Sequence, residues 1–186
     1  MLVATAGPPD RLRALPATWQ DEGVSEQREI LTWETFGTAS RELAQMVVDD
    51  GYQPDIILSI TRGGLLPTGA ISYALDLKAL HIINVEFYTG IESRLLEPVF
   101  LPPLPATADL SGQKVLIVDD VADTGHTLNR VKEFCAPHVA EVRVAVLYEK
   151  PPSVVKAAYV WKHTPLWITF PWSALPPIVR NSANER

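Results

Sequence analysis

The chain has 186 residues, enough for one domain with a sizeable core and hardly enough for two, and its 47% hydrophobic and 20% charged residues are ordinary for a soluble globular protein. The formal net charge of −6 argues against a nucleic-acid-binding surface as the main function, and no stretch reaches the about 18 apolar residues of a membrane span. The single cysteine, Cys135, cannot form an intramolecular disulfide, which is typical of a protein in the reducing cytoplasm. Together these features predict a soluble cytoplasmic protein that binds neither nucleic acid nor a membrane.

The first 29 residues are rich in Ala, Pro and charged residues and show no sustained periodicity. They predict a mobile N-terminal extension, which leaves residues 30–186 as a single domain. Thr32 suits the N-cap of a helix that ends at Gly51. Its apolar residues recur at helical spacing, namely Phe36, Ala39, Leu43, Met46 and Val47.

Residues 55–60 predict a buried strand, and the sequence Thr61-Arg62-Gly63-Gly64 follows it. The glycines allow the backbone to approach a ligand closely, and Arg62 carries a fork of donors that matches phosphate oxygens. A helix predicted to begin near Leu65 points its positive end toward the same place.

A second strand is predicted over residues 80–88. The segment that follows, residues 88–112, contains four prolines and is longer than most irregular loops, which indicates either a functional loop or disorder. Within it, residues 98–101 are a candidate arm of an extra hairpin.

The most informative stretch is residues 114–128, KVLIVDDVADTGHTL. Its apolar run is typical of a strand buried on both faces of a parallel sheet, and ligands bind at the carboxyl ends of such strands. Asp119 and Asp120 can accept hydrogen bonds from vicinal hydroxyls. The turn Thr124-Gly125-His126-Thr127 can present N–H groups to a phosphate, so the combination indicates a sugar phosphate. The alternative is an ordinary turn with Asp123 or Thr124 as the N-cap.

A helix over residues 127–137 and a strand over residues 141–147 complete the alternating pattern. They predict an α/β fold with a mostly parallel, twisted sheet and helices on both faces. Residues 148–186 are rich in Pro and Trp and follow no simple period.

These residues resemble a known family. Residues 115–128 are similar to the phosphoribosyl diphosphate (PRPP) signature of type I phosphoribosyltransferases, and the likeness extends over residues 31–172. The resemblance implies that Thr61-Arg62-Gly63-Gly64 is a pyrophosphate loop with a non-proline cis peptide at Thr61-Arg62. It also implies a flexible lid at about residues 88–112 and a small C-terminal hood at about residues 148–186.

The resemblance further implies a role for each site residue. PRPP would be bound by Asp119 and Asp120 at its ribose hydroxyls, by Asp123, and by the turn, which would hold its 5′-phosphate; the turn residues are Thr124, Gly125, His126 and Thr127. Asp123 would also be the catalytic group, near N7 of a purine. Mg²⁺ would be the cofactor, held mainly by pyrophosphate oxygens, ribose hydroxyls and water, with Asp119 and Asp120 contacting it through water at most.

Three residues of the hood indicate the acceptor. Lys150 and Trp167 resemble the lysine and tryptophan with which bacterial and archaeal xanthine-guanine and hypoxanthine phosphoribosyltransferases read O6 and stack on the ring. Backbone groups near Ile168 would read the far edge of the base. The implied reaction is transfer of 5-phosphoribosyl from PRPP to N9 of guanine, xanthine or hypoxanthine, with release of pyrophosphate, in purine salvage.

Two alternatives stay open. The same fold could act on adenine, a pyrimidine or a specialised base, and Lys150 and Trp167 are the residues that discriminate. It could instead belong to a regulatory protein that binds PRPP or a nucleotide. Relatives usually form dimers or larger assemblies, so we expect a homo-oligomer.

Overall fold

A computed structural model of the protein describes residues 27–87, 98–101 and 110–179. Most of the predicted extension, most of the predicted lid and the last residues of the hood lie outside these ranges. No helix of the described residues is long and apolar enough to cross a membrane.

The centre of the described part is a six-stranded sheet. Its strands are β2 (Ile56–Thr61), β3 (Leu80–Phe87), β4 (Pro98–Leu101), β5 (Lys114–Ala122), β6 (Glu141–Glu149) and β7 (Tyr159–His163). They lie in the order β4-β3-β2-β5-β6-β7. Every pair is parallel except β3 and β4, which confirms residues 98–101 as one arm of an extra antiparallel pair. The carboxyl ends of β2, β5 and β6 therefore meet at one edge, where open α/β sheets bind ligands.

Helices cover both faces of this sheet. Helices α1 (Trp33–Asp49) and α2 (Leu65–Ala74) pack on one face, and α3 (His126–Cys135), continued by the 3-10 helix Ala136–His138, packs on the other. Adjacent residues of β5 alternate between the two cores: Leu116 lies in the core of α1 and α2, and Ile117 lies in the core of α3. This two-residue period confirms the predicted α/β fold with a sheet buried on both faces.

Helix α1 begins as predicted. Thr32 is its N-cap, and the Thr32 hydroxyl accepts a hydrogen bond of 3.1 Å from the Thr35 amide. Phe36, Ala39, Leu43 and Val47 are buried, whereas Met46 is 37% exposed, because it lies at the margin of the apolar stripe.

The structure differs from the prediction at both ends of the domain. A short strand, β1 (Arg28–Ile30), begins within the predicted N-terminal extension and pairs in parallel with β8 (Trp167–Thr169). Residues 159–163, which lie within the predicted hood, form β7 and extend the main sheet beyond β6. The pairing of β1 with β8 joins segments far apart in sequence, and the pairing of β7 with β6 is a contact across the sheet, so local periodicity indicated neither.

Aromatic side chains hold the segment after β8 against α1. Phe170 stacks on Trp172 with ring centroids 4.9 Å apart, and Trp172 lies 5.3 Å from Phe36 and 6.1 Å from Trp33. Strand β8 is thereby held next to the carboxyl edge of the sheet by packing as well as by its pairing with β1.

Candidate active site

The loop after β2 lies directly against the end of β5. The peptide bond between Thr61 and Arg62 is cis, as the resemblance implied. A Cβ at Gly64 would lie 2.5 Å from the Val118 carbonyl oxygen, and a Cβ at Gly63 would overlap the Asp120 carboxylate. Only glycine therefore allows this loop to approach the acid pair so closely. The Thr61 hydroxyl donates to the Ile83 carbonyl at 3.2 Å, and Arg62 is exposed.

The acid pair sits in a poorly solvated place. Asp119 is 9% exposed, and its Oδ1 accepts a hydrogen bond of 2.9 Å from the Asp120 amide. Burial and then the charge of Asp120 raise the pKa of Asp119 well above its ordinary value. Burial likewise raises the pKa of Asp120 to about 6. Hydroxyl donors of a bound ligand or a nearby cation would stabilise the ionised forms of both acids.

The turn after β5 leads into α3 through Gly125. This residue has a φ of 77° and is the N-cap of α3, with no side-chain capping hydrogen bond. Neither Asp123 nor Thr124 therefore caps the helix, and the alternative of an ordinary capped turn is wrong. The first helical bond runs from the Asn129 amide to the Gly125 carbonyl, so the amides of the first helical turn remain for a ligand. Asp123, Thr124 and His126 are exposed, and Thr127 is half-buried.

A second loop, which we call the brace loop (residues 149–157), packs on this turn. The Val154 amide donates to the Thr124 carbonyl at 2.9 Å, and the Lys150 amide donates to the Ala122 carbonyl at 2.9 Å. A Cβ at Gly125 would overlap the Ser153 hydroxyl. Sequence reasoning missed these contacts, since Pro151-Pro152 indicates a turn but not the partner of that turn.

The structure brings three predicted site residues together. The Lys150 ammonium lies 3.3 Å from Asp123 Oδ1 and 5.0 Å from the centroid of the Trp167 ring. The Lys150 side chain is 12% exposed, whereas Trp167 is 59% exposed. Ile168 is buried in β8, opposite Glu29 of β1. A flat ligand next to Trp167 would thus lie close to the Lys150 ammonium and to the Asp123 carboxylate.

The described residues contain no cluster of three or more His, Cys, Asp or Glu side chains that could hold a metal ion. The acid pair offers carboxylate oxygens at the edge. This donor set fits a hard cation that takes most of its ligands from a bound substrate and from water.

Carboxylates at a strand end, an N–H-rich turn and a facing glycine loop are the parts that a phosphoribosyl-transferring protein needs. The chain belongs to the phosphoribosyl transferase domain family, whose model matches residues 26–175. The matched range is slightly wider than the likeness seen in the sequence, and it confirms the predicted family.

Named relatives agree with this assignment. The xanthine-guanine phosphoribosyltransferase of Gluconobacter oxydans is 31% identical over 155 residues, which cover 81% of this chain and 90% of that protein. The structure of a purine phosphoribosyltransferase from Pyrococcus horikoshii is similar with a TM-score of 0.70 and 36% identity, over 83% of this chain and 99% of that one. The structure of the xanthine-guanine-hypoxanthine phosphoribosyltransferase of Helicobacter pylori is similar with a TM-score of 0.68 and 27% identity, over 79% of this chain and 94% of that one.

Proposed function

We propose that the protein transfers the 5-phosphoribosyl group of PRPP to N9 of a 6-oxopurine and releases pyrophosphate. The observation that carries this proposal is the position of the Lys150 ammonium, which lies next to Asp123 and over the exposed ring of Trp167. It supports an acceptor that is flat, has an exocyclic oxygen and has a ring nitrogen that exchanges a proton. The names of the relatives agree with a purine acceptor.

The donor would lie along the carboxyl edge of the sheet. Asp119 and Asp120 accept hydrogen bonds from the two ribose hydroxyls, and the amides of residues 124–127 receive the 5′-phosphate. Arg62, Gly63 and Gly64 face the pyrophosphate. The contact between Gly63 and Asp120 supports this arrangement, because it brings the pyrophosphate loop to the ribose. Mg²⁺, when bound, would supply positive charge to the leaving pyrophosphate, and Asp119 and Asp120 are the residues that would hold it through water.

The chain supplies positioning and electrostatics rather than a covalent nucleophile. Loss of pyrophosphate leaves positive charge at C1′ of the ribose, and the carboxylates of the site stabilise it. Lys150 donates to the exocyclic oxygen of the base, and Trp167 stacks on its ring. Asp123 is exposed beside Lys150 and exchanges the proton at N7 of the base as a general acid or base.

A rate assay with PRPP, Mg²⁺ and each of guanine, xanthine, hypoxanthine and adenine tests the proposal. We expect turnover with at least one oxopurine. Turnover with adenine alone, or with none of the four bases, would reject the acceptor. Asp123→Asn should lower kcat more than it weakens PRPP binding, and an unchanged kcat would remove Asp123 from its role.

The assembly is a separate proposal. We infer from the family that the chain forms a homodimer or a larger homo-oligomer, and light scattering after size-exclusion chromatography would measure it. A monomer at micromolar concentration would reject this.

A further inference from the structure

A buried acid outside the roles given above lies next to Lys150. Glu149 is the last residue of β6 and is paired with Ala122, the last residue of β5, and with His163, the last residue of β7. It is 3% exposed. Its backbone carbonyl also accepts a hydrogen bond of 3.2 Å from the Thr164 amide. Glu149 therefore sits where three strands end.

The carboxylate of Glu149 closes the brace loop on itself. Its Oε2 accepts a hydrogen bond of 2.9 Å from the Ala157 amide, at the other end of the loop. Its Oε1 lies 3.1 Å from the Lys156 ammonium and 3.8 Å from His163 Nδ1. The Lys156 and His163 side chains are 70% and 69% exposed, so these ion pairs contribute little. The bond to the Ala157 amide is the contact that fixes the loop, because its acceptor is a buried carboxylate oxygen.

Three residues between the two ends of this closed loop contact the site, namely Lys150, Ser153 and Val154. Lys150, at one end, contacts Asp123 and Trp167. In the middle, Ser153 packs on Gly125 and the Val154 amide holds the Thr124 carbonyl. The Ser153 hydroxyl donates to the Val155 carbonyl at 2.7 Å, which keeps the middle of the loop compact. One loop thus touches both the base side and the 5′-phosphate side.

We propose that Glu149 is a positioning residue for both substrates. By holding the Ala157 amide it fixes the brace loop, and the brace loop in turn orients Lys150 and supports the phosphate turn. The inference rests on the proposed function, since it assigns Lys150 to the base and the turn to PRPP. It predicts that one substitution, at a residue that touches neither substrate, weakens the binding of both.

The experiment compares three variants of the full chain. Glu149→Met keeps the volume of the side chain and removes the acceptor, Glu149→Gln keeps an oxygen for the Ala157 amide, and Lys156→Ala removes only the exposed ion pair. KM for PRPP, KM for the best oxopurine, kcat, and the melting temperature are measured for each. We expect Glu149→Met to raise both KM values about tenfold, because the loop loses its closing bond. Glu149→Gln and Lys156→Ala should stay within about twofold of wild type.

Several results would overturn the inference. A lower melting temperature of Glu149→Met with both KM values unchanged would make Glu149 merely structural. A Glu149→Gln variant as impaired as Glu149→Met would show that charge, and not loop closure, matters. If Glu149→Met does not fold, Glu149→Ala gives the same readout, since water can reach the Ala157 amide there; failure of both to fold would also reject a role specific to the site.

The proposed function fails in a different way. A wild-type protein without oxopurine turnover rejects the reaction itself. Wild-type turnover together with an unaffected Glu149→Met variant rejects only the role of Glu149.

Discussion

Replacing Gly125 tests whether the phosphate turn depends on its contact with the brace loop. The φ of 77° places Gly125 in the left-handed region, where an alanine costs about 1–2 kcal/mol. A Cβ would also lie 2.9 Å from the Val155 amide nitrogen and overlap the Ser153 hydroxyl, so residues 153–155 would have to move. Gly51 provides a matched control, because its φ is 68° and a Cβ there would meet nothing within 4 Å.

Both Gly125→Ala and Gly51→Ala should therefore lower the free energy of unfolding, because both residues have a left-handed backbone conformation. For a chain of this size, that cost lowers the melting temperature by about 2–8 °C. Only Gly125→Ala should also displace the turn. Because one hydrogen bond from an amide to a charged phosphate contributes about 1.5–3 kcal/mol, we expect its KM for PRPP to rise about 10- to 100-fold.

The assay is steady-state turnover at varied PRPP, combined with thermal unfolding followed by circular dichroism. Gly51→Ala should keep the KM of the wild type. The reasoning is refuted if Gly125→Ala binds PRPP normally, or if Gly51→Ala weakens PRPP binding to the same extent.

Three further predictions concern the rest of the site. Burial raises the pKa of Asp120 to about 6, so the folded state favours the protonated carboxyl group. The contribution of this group to stability is therefore present below its ordinary pKa of 3.8 and is lost as the pH rises through about 6. Asp120→Asn should therefore raise the melting temperature at pH 8 but not at pH 4, while turnover falls; an equal change at both pH values, measured by circular dichroism, would contradict this. Lys150→Met should raise KM for the oxopurine about 10- to 100-fold and leave KM for PRPP nearly unchanged, whereas Lys132→Met, on the exposed side of α3, should change neither. Gly64→Ala should destabilise the protein, because the added Cβ would lie 2.6 Å from the Ile60 carbonyl oxygen. Gly69→Ala, in the middle of α2 where an added Cβ would have no atom within 4 Å, should stabilise the protein by about 1 kcal/mol. Chemical denaturation measures the free energy of unfolding of both variants.

Features that depend on neighbouring residues were predictable. The run of apolar residues in β5, the acids at its end and the turn into α3 are contiguous, so their chemistry could be interpreted without coordinates. The same is true of the loop after β2 and of the Thr32 cap of α1. Each of these depends on local backbone geometry, which side chains within a few residues determine.

The boundaries of the hood were not predictable in this way. Strand β7 was missed because its apolar residues follow no simple alternation, and its place beside β6 is a pairing across the sheet. Strand β1 begins within the predicted extension because three residues carry too little pattern to indicate a strand, and its pairing with β8 is a contact between distant segments.

By itself, the sequence determined the family, the alternating α/β order and the residues that carry donor chemistry, because those signals are contiguous. Only the tertiary structure decided that the Lys150 ammonium lies next to Asp123 and over the Trp167 ring, that Gly63 touches Asp120, and that Glu149 closes the brace loop. The physical reason is that such contacts join residues from different strand ends, whose meeting depends on the packing and register of the whole sheet.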